Sequence, residues 1–427
     1  MAVGSIIGFD INDKVCQVSY YDERKQEPRT LEVAADNFQI PLLLSIFDEK
    51  WSFGREAKKM ATLGRGHTAT DLWDKACAQD KVHMGDKEYE AVWLLAKFMT
   101  VILEPFQPIE YLTFSVPKAD EDIRGMLKRI GVHLGIAKNA VMIQDYKESF
   151  CHYMFYQPKE LWKYEAALFY CDRSKVEAYM LRQLKPPSQR EQAVFVTVDK
   201  VAEAQMEELA SVYPVLNVDK AKYADERFKN FIEGVFEKKL ISSVFLTGEG
   251  FENNWYPNSL RVLCNGRRAF MGNNMYSKGA CYAAYRCILD NDDGPVYLDE
   301  TKMIEQISLK MRVRGQETWY PLVSWGAQWY ESDKQWEVLL EDSSDIEVHI
   351  ESLSNGKLRI QPVSLTGVPK RKNYSVRIRI STLFINERLC KVTFKDVGFG
   401  DFFPPSGFET EVELQLGGNN GQFNTLL

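Results

Sequence analysis

Gly4-Ser-Ile-Ile-Gly-Phe-Asp-Ile-Asn-Asp-Lys-Val-Cys-Gln-Val-Ser-Tyr20 is the stretch against which the rest of the chain is read. Ile6, Ile7 and Phe9 make a short apolar run of the kind that forms a buried strand. It ends in Asp10-Ile11-Asn12-Asp13, an acidic turn, and Val15 to Tyr20 alternates as a return strand.

The pattern returns later. Ala166-Ala-Leu-Phe-Tyr-Cys-Asp172 is again an apolar strand ending in Asp, Arg173-Ser174 turns, and Lys175 to Arg182 heads back. A loop at Pro186 to Gln189 leads to a third strand, Ala193 to Val198. Each unit is followed by strand and helix signals. In the first, Tyr89 to Leu103 is amphipathic, Ile109 to Val116 is a strand stopped by Pro117, and Asp120-Glu-Asp122 opens a helix with acids where the dipole favours them. In the second, Val201 to Ala210 and Ala224 to Lys239 read as helices, and Ile241 to Thr247 runs into a double-glycine turn, Gly248-Glu249-Gly250. Tyr276 to Ile288 is a helix rich in small residues, with Gly279 suited to close packing. Two copies of one pattern predict an internal duplication.

From Val296 the character changes to strands at short spacing, with Asn355-Gly356 marking a hairpin. The expected domains are residues 1–294, an α/β duplicated domain, and 295–427, an all-β sandwich, with Asp290 to Pro295 as linker and Gly417 to Leu427 as a loose tail. Trp319, Tyr320, Trp325, Trp329, Tyr330 and Trp336 crowd one stretch of the sandwich, and Trp325, Trp329 and Tyr330 are its candidate partner-binding residues.

Composition narrows the function classes. Over 427 residues, 45% are hydrophobic and 26% charged, which excludes disordered and collagen-like chains. A net charge of -7 argues against nucleic acid and anionic membranes as partners. No signal peptide is expected at Met1 to Asp10, and no apolar run reaches the roughly 18 residues of a membrane span. A cytoplasmic location is expected. The eight cysteines are scattered without a Cys-x-x-Cys pair, which favours reduced thiols over a zinc site or disulfide frame.

In this order the residues resemble a divergent bacterial branch of the heat shock protein 70 (DnaK-like) family, within the actin-like ATPase superfamily. Gly8 to Asn12 is similar to the family's first phosphate loop, Phe53-Gly54-Arg55-Glu56-Ala57-Lys58 to its "V-G-x-x-A-K" element, and Thr113 to Pro117 to its "T-V-P" strand. Leu134 to Asp145 resembles the approach to its "E-P-T-A-A" helix. Cys171-Asp172 falls at the second phosphate loop, Leu246 to Gly250 at the adenosine loop, and Val296-Tyr297-Leu298-Asp299 at the interdomain linker. The resemblance implies a duplicated, ribonuclease H-like ATPase domain that takes ATP or ADP with magnesium. Asp10 and Asp172 would hold magnesium through water, and Asp10, Asp145 and Asp172 would be the catalytic carboxylates. Asn12, Arg173, Ser174, Gly248, Glu249 and Gly250 would contact nucleotide. The β-domain would bind a peptide or protein client, with a co-chaperone as a further partner.

The sequence departs from the family at its chemistry. Asn12-Asp13-Lys14 and Arg173-Ser174-Lys175 stand where the family has glycines, whose bare backbone lets N–H groups approach phosphate. Asp145 stands for the family's catalytic Glu. Lys75 is the candidate for the catalytic Lys. Two readings therefore stand side by side, a nucleotide-switched chaperone-like protein and a pseudo-ATPase scaffold without turnover. A filament-forming ATPase and a small-molecule kinase are more distant rivals.

Overall fold

The computed structural model describes residues 4–34, 37–186, 193–212, 217–289, 294–340, 345–369, 371 and 376–417. Most of the expected linker and tail, and Pro187 to Gln189, lie outside the described residues. The chain divides into two compact units, one of residues 1–182 and 198–293 and the other of 183–197 and 294–427. The expected boundary at 294/295 thus leaves out residues 183–197, which pack with the second unit.

Two mixed sheets lie mainly in the first unit; residues 183–184 at the end of one strand and 195–197 at the start of the next belong to the second unit. One comprises β1 (Ser5–Ile11), β2 (Val15–Asp22), β3 (Glu27–Thr30), β4 (Ile109–Val116) and β5 (Val141–Asp145), in the order β3–β2–β1–β4–β5, with the short strand Ile40–Pro41 pairing antiparallel to the start of β2. The other comprises β6 (Glu165–Cys171), β7 (Lys175–Leu184), β8 (Phe195–Gln205), β9 (Ile241–Thr247) and β10 (Arg268–Met271), in the order β8–β7–β6–β9–β10, with the short strand Val296–Tyr297 pairing parallel to the start of β8. Pairing senses repeat as well: β1 is antiparallel to β2 and parallel to β4, and β6 is antiparallel to β7 and parallel to β9. Even an irregularity recurs, a register shift after Ser5 in β1 and after Glu165 in β6.

Helices follow the strands in matching places. They are α1 (Ala91–Leu103), α2 (Glu121–His133) and α3 (Tyr146–Phe155) around the first sheet, then α4 (Val218–Phe236), α5 (Pro257–Leu263) and α6 (Met275–Arg286) around the second. The last helix of each set crosses over. α6 packs on β1, β2, β3 and β4, while Phe150 and Tyr153 of α3 meet Phe245 of β9 edge to face. The close approach depends on absent side chains. A Cβ at Gly8 would overlap the Ser277 carbonyl and Cys281 amide of α6, and one at Gly279 would overlap the Ser149 carbonyl of α3. The small-residue helix read from the sequence is this one.

One expectation fails in the second sheet. Val201 to Ala210 is no helix: β8 runs on to Gln205, and a short 3₁₀ turn covers Glu207–Ser211. The segment is rich in helix formers, and sheet context overrides that preference.

The second unit carries two four-stranded antiparallel sheets. The first is β11 (Glu305–Val313), β12 (Gln316–Val323), β14 (Asp345–Ser352) and β15 (Leu358–Ser364), ordered β12–β11–β14–β15. The second is β13 (Gln335–Leu339), β16 (Arg377–Asn386), β17 (Leu389–Asp396) and β18 (Glu409–Gln415), ordered β13–β16–β17–β18. Ile307, Leu309, Val348, Ile350, Ile378, Ile380, Val392 and Phe394 alternate inward to one shared core. A smaller cluster joins Phe195 to Leu298, Trp325 and Leu353.

Candidate functional site

The two acidic turns are built alike. In the first, the Asn12 amide donates to the Val15 carbonyl (3.1 Å), and Asn12 Oδ1 accepts from the Lys14 and Val15 amides, each at 2.9 Å. In the second, the Asp172 amide donates to the Lys175 carbonyl (3.1 Å), and Asp172 Oδ1 accepts from the Ser174 and Lys175 amides at 2.7 and 2.8 Å. Each is a side chain that closes its own turn. Asp172 therefore matches Asn12, not Asp10. Counting back along β6, the place of Asp10 is taken by Tyr170, and the place of its cross-strand partner Gln17 by Glu177. The expected pairing of Asp10 with Asp172 is corrected by two residues. Asp172 Oδ1 also accepts from the Ser174 hydroxyl (2.9 Å), so three donors hold it to its turn.

Asp10 differs from an ordinary turn carboxylate. It is 8% exposed, and among the described residues no protein group hydrogen-bonds its Oδ1. Burial raises its pKa to about 7, against the opposing pull of the Tyr146 hydroxyl within hydrogen-bonding reach. Gln17, directly across the strand pair, is 4% exposed; its Nε2 donates to the Asn273 carbonyl (2.7 Å) and its Oε1 is likewise unmatched. Tyr146 begins α3 and stacks flat on Tyr276 of α6, with centroids 3.9 Å apart. Burial pushes both phenols well above their usual range.

Behind Asp10 runs a seam of small polar groups between the first sheet and the crossed helices. Ser19 Oγ lies 3.0 Å from Thr30 Oγ1 and 2.8 Å from Ser277 Oγ, Ser115 Oγ lies 2.6 Å from Ser149 Oγ, and Gln144 donates to Ser149 (2.8 Å). Such groups allow close packing while satisfying one another.

Glu249 spans the two turns. Its carboxylate lies 2.6 Å from Lys14 Nζ and 3.5 Å from Arg173 Nη2, so a cation from each turn is drawn to one protein acid. Gly248 and Gly250, expected to line an adenosine pocket, pack on the second turn instead. A Cβ at Gly248 would overlap the Cys171 carbonyl, and one at Gly250 the Asp172 carbonyl. Gly248 also has φ of +103°, which a side chain would resist. Arg173 and Ser174 are exposed in the turn.

Asp145 caps α3: its Oδ1 accepts from the Glu148 amide at 2.8 Å, and Lys147 Nζ sits 3.6 Å from Oδ2. Burial is the largest influence on its carboxyl and raises its pKa. Lys75 donates to the Thr70 carbonyl (3.0 Å). In the second unit the three aromatic candidates differ in burial. Trp325 is 6% exposed in the Phe195 cluster, with its indole donating to the Glu351 carbonyl (3.0 Å), and Trp329 packs on the sandwich core. Of the three, Tyr330 is the exposed one. Among the described residues no group of three or more His, Cys, Asp or Glu is placed to hold a metal, and no helix is long and apolar enough to cross a membrane.

Sequence reading missed Gln17, Tyr146, Tyr276 and Glu177. Gln17 was open to it, since alternation along β2 puts it on the face of Asp10. Glu177 accepts from Lys175 (3.0 Å), Lys200 (2.8 Å) and the Tyr179 hydroxyl (3.0 Å). The tyrosine stack had no local signal.

Comparison with known proteins gives two matches. Residues 27–300 match a family of unknown function (DUF5716), C-terminal, and residues 302–416 match a domain of unknown function (DUF8552). No curated protein matched the chain.

Proposed function

The chain belongs to the family of unknown function DUF5716, by the match over residues 27–300; from the geometry of its two turns we propose that it is a pseudo-ATPase scaffold. In this reading the first unit is a duplicated actin-like, ribonuclease H-like domain that no longer turns over ATP, and the protein works by binding protein partners. The repeated strand order, the repeated register shift and the crossed helices support the duplication. The loss of turnover is carried by one observation: Glu249 is paired with Lys14 and Arg173 across the two turns. A phosphate chain would have to displace that acid and then meet side chains where bare amides are needed. Asp145 and Asp172 already have structural work, as helix cap and turn closure. The phosphate-contacting residues present do not fit the nucleotide that the resemblance implies, and no catalytic step is assigned to one.

A second reading, a nucleotide-switched chaperone-like protein, is favoured by the unmatched oxygens of Asp10 and Gln17, which magnesium-bound water would satisfy. Calorimetric titration with ATP and with ADP, each with magnesium, separates the two. The scaffold reading expects no saturable heat at millimolar nucleotide. Saturable binding that disappears in Asp10→Ala would favour the switch.

A further inference from the structure

We propose that Trp51 and Trp93 form a binding corner for a small quaternary ammonium ligand with a choline-type trimethylammonium head, and that Lys97 is a displaceable plug in that corner. Three neighbouring elements of the first unit supply the rings. Trp51 lies on the strand Lys50–Phe53, across from Ile46 of the strand Leu44–Phe47. Tyr89 lies on the strand Lys87–Glu90, which leads straight into α1, and Trp93 and Lys97 are four residues apart on α1, hence on one face. Tyr89 stacks nearly flat on Trp93, with centroids 5.3 Å apart and planes at 12°. Trp51 stands across that stack, 6.3 Å from Trp93 at 65° and 5.6 Å from Tyr89 at 76°. Trp51 and Tyr89 are packed against the core of the unit, while Trp93 is 41% exposed.

The seat between the two indoles already holds a cation. Lys97 Nζ lies 5.2 Å from the ring centre of Trp51 and 5.3 Å from that of Trp93. The face of each indole is the negative part of its quadrupole, so two faces turned to one point select positive charge. Among the described residues no carboxylate pairs with Lys97, and the two rings are its partners. That hold is weak. A lysine ammonium is a compact, strongly hydrated charge on a flexible four-carbon stem, and it gains little over exposed rings. A trimethylammonium group has no N–H to leave unsatisfied, and its methyl groups lie on the rings as apolar surface while its charge stays near their faces. A free primary amine offers nothing that tethered Lys97 does not already supply at a higher effective concentration. The corner thus distinguishes quaternary from primary amines, and Lys97 sets the threshold.

Calorimetric titration of the full chain with tetramethylammonium chloride tests this, beside choline, methylammonium and the uncharged carbon isostere of choline. Tetramethylammonium and choline are expected to bind in the millimolar range, and methylammonium and the isostere not to bind. Lys97→Ala, which removes the plug, is expected to tighten tetramethylammonium by about three- to sixfold, the gain from freeing a seat that an exposed cation–π contact keeps mostly filled. Trp93→Leu keeps an apolar side chain but no ring face, and is expected to abolish binding. Should Trp93→Leu melt early, the gain in Lys97→Ala carries the test, since that side chain lies on the outside of a helix. Phosphatidylcholine vesicles present the same head group on a lipid, and the chain is expected to stay in the supernatant when they are pelleted. No binding of tetramethylammonium by either wild type or Lys97→Ala overturns the proposal. So does methylammonium or the isostere binding as well as tetramethylammonium, a folded Trp93→Leu that binds like wild type, or retention by the vesicles without binding of free choline.

Discussion

Asp10 is a carboxylate held out of water with one oxygen unmatched, and an unsatisfied buried acceptor costs on the order of 1–3 kcal/mol. Its pKa rises from 3.8 to about 7, so between those values the folded chain binds a proton that the unfolded chain has lost. Stability from this group is therefore greatest at the acid end of that window, falls as pH rises through it, and levels off above about 7. Asp10→Asn, neutral at every pH, is expected to flatten that stretch of the stability profile and to melt higher than wild type at pH 8. Urea unfolding from pH 4 to 8 measures it, and parallel profiles for the two proteins would remove the buried-charge account. The Asp at the end of an apolar strand was plain in the sequence. That Tyr170, not Asp172, holds the matching place was not, because only the turn hydrogen bonds fix which residues oppose each other across a hairpin.

At the scale of elements, short side chains at the joints decide geometry. Asp145 closes the N-terminus of α3 and Asp120 that of α2, whose Ile123 amide it accepts at 3.1 Å. Asp145→Ala is expected to cost about 0.5–2 kcal/mol, whereas Asp145→Asn, which keeps the accepting oxygen, costs little. Chemical denaturation of both variants checks this, and equal losses would count against a capping role. Such joints were legible: an acid three residues before Glu148 at the head of an apolar face is a helix-start signal. The run Val201 to Ala210 was misread because its composition favours a helix, whereas its place beside β7, the strand just before it, carries β8 on to Gln205. The strands of the sandwich were readable because Asn355-Gly356 and period-two alternation are local. The burial of Trp325 was not, as it depends on Phe195, far upstream in the chain.

Across the whole molecule, the repeated order of the two sheets and the crossed helices could be anticipated only as a repeated pattern; the residues that fill the space between the turns had no counterpart in that pattern. The second unit likewise draws on residues 183–197, so a fragment cut at the expected boundary loses part of its smaller core. Phe195→Ala, removing a ring that is 5% exposed between Leu298, Trp325 and Leu353, is expected to destabilise that unit by about 3–5 kcal/mol. Thermal unfolding followed by near-ultraviolet dichroism tests it, and an unchanged melt would mean that the small cluster adds nothing to the unit. In the scaffold reading proposed above, the protein's own Lys14–Glu249–Arg173 pairing, rather than nucleotide phosphate, joins the two turns. Its most direct test is phosphate release from ATP with magnesium, for wild type beside Asp10→Ala and Glu249→Ala. Wild type and Asp10→Ala are expected to release phosphate at the same rate as buffer, and so is Glu249→Ala. Release by wild type that is abolished in Asp10→Ala would contradict it.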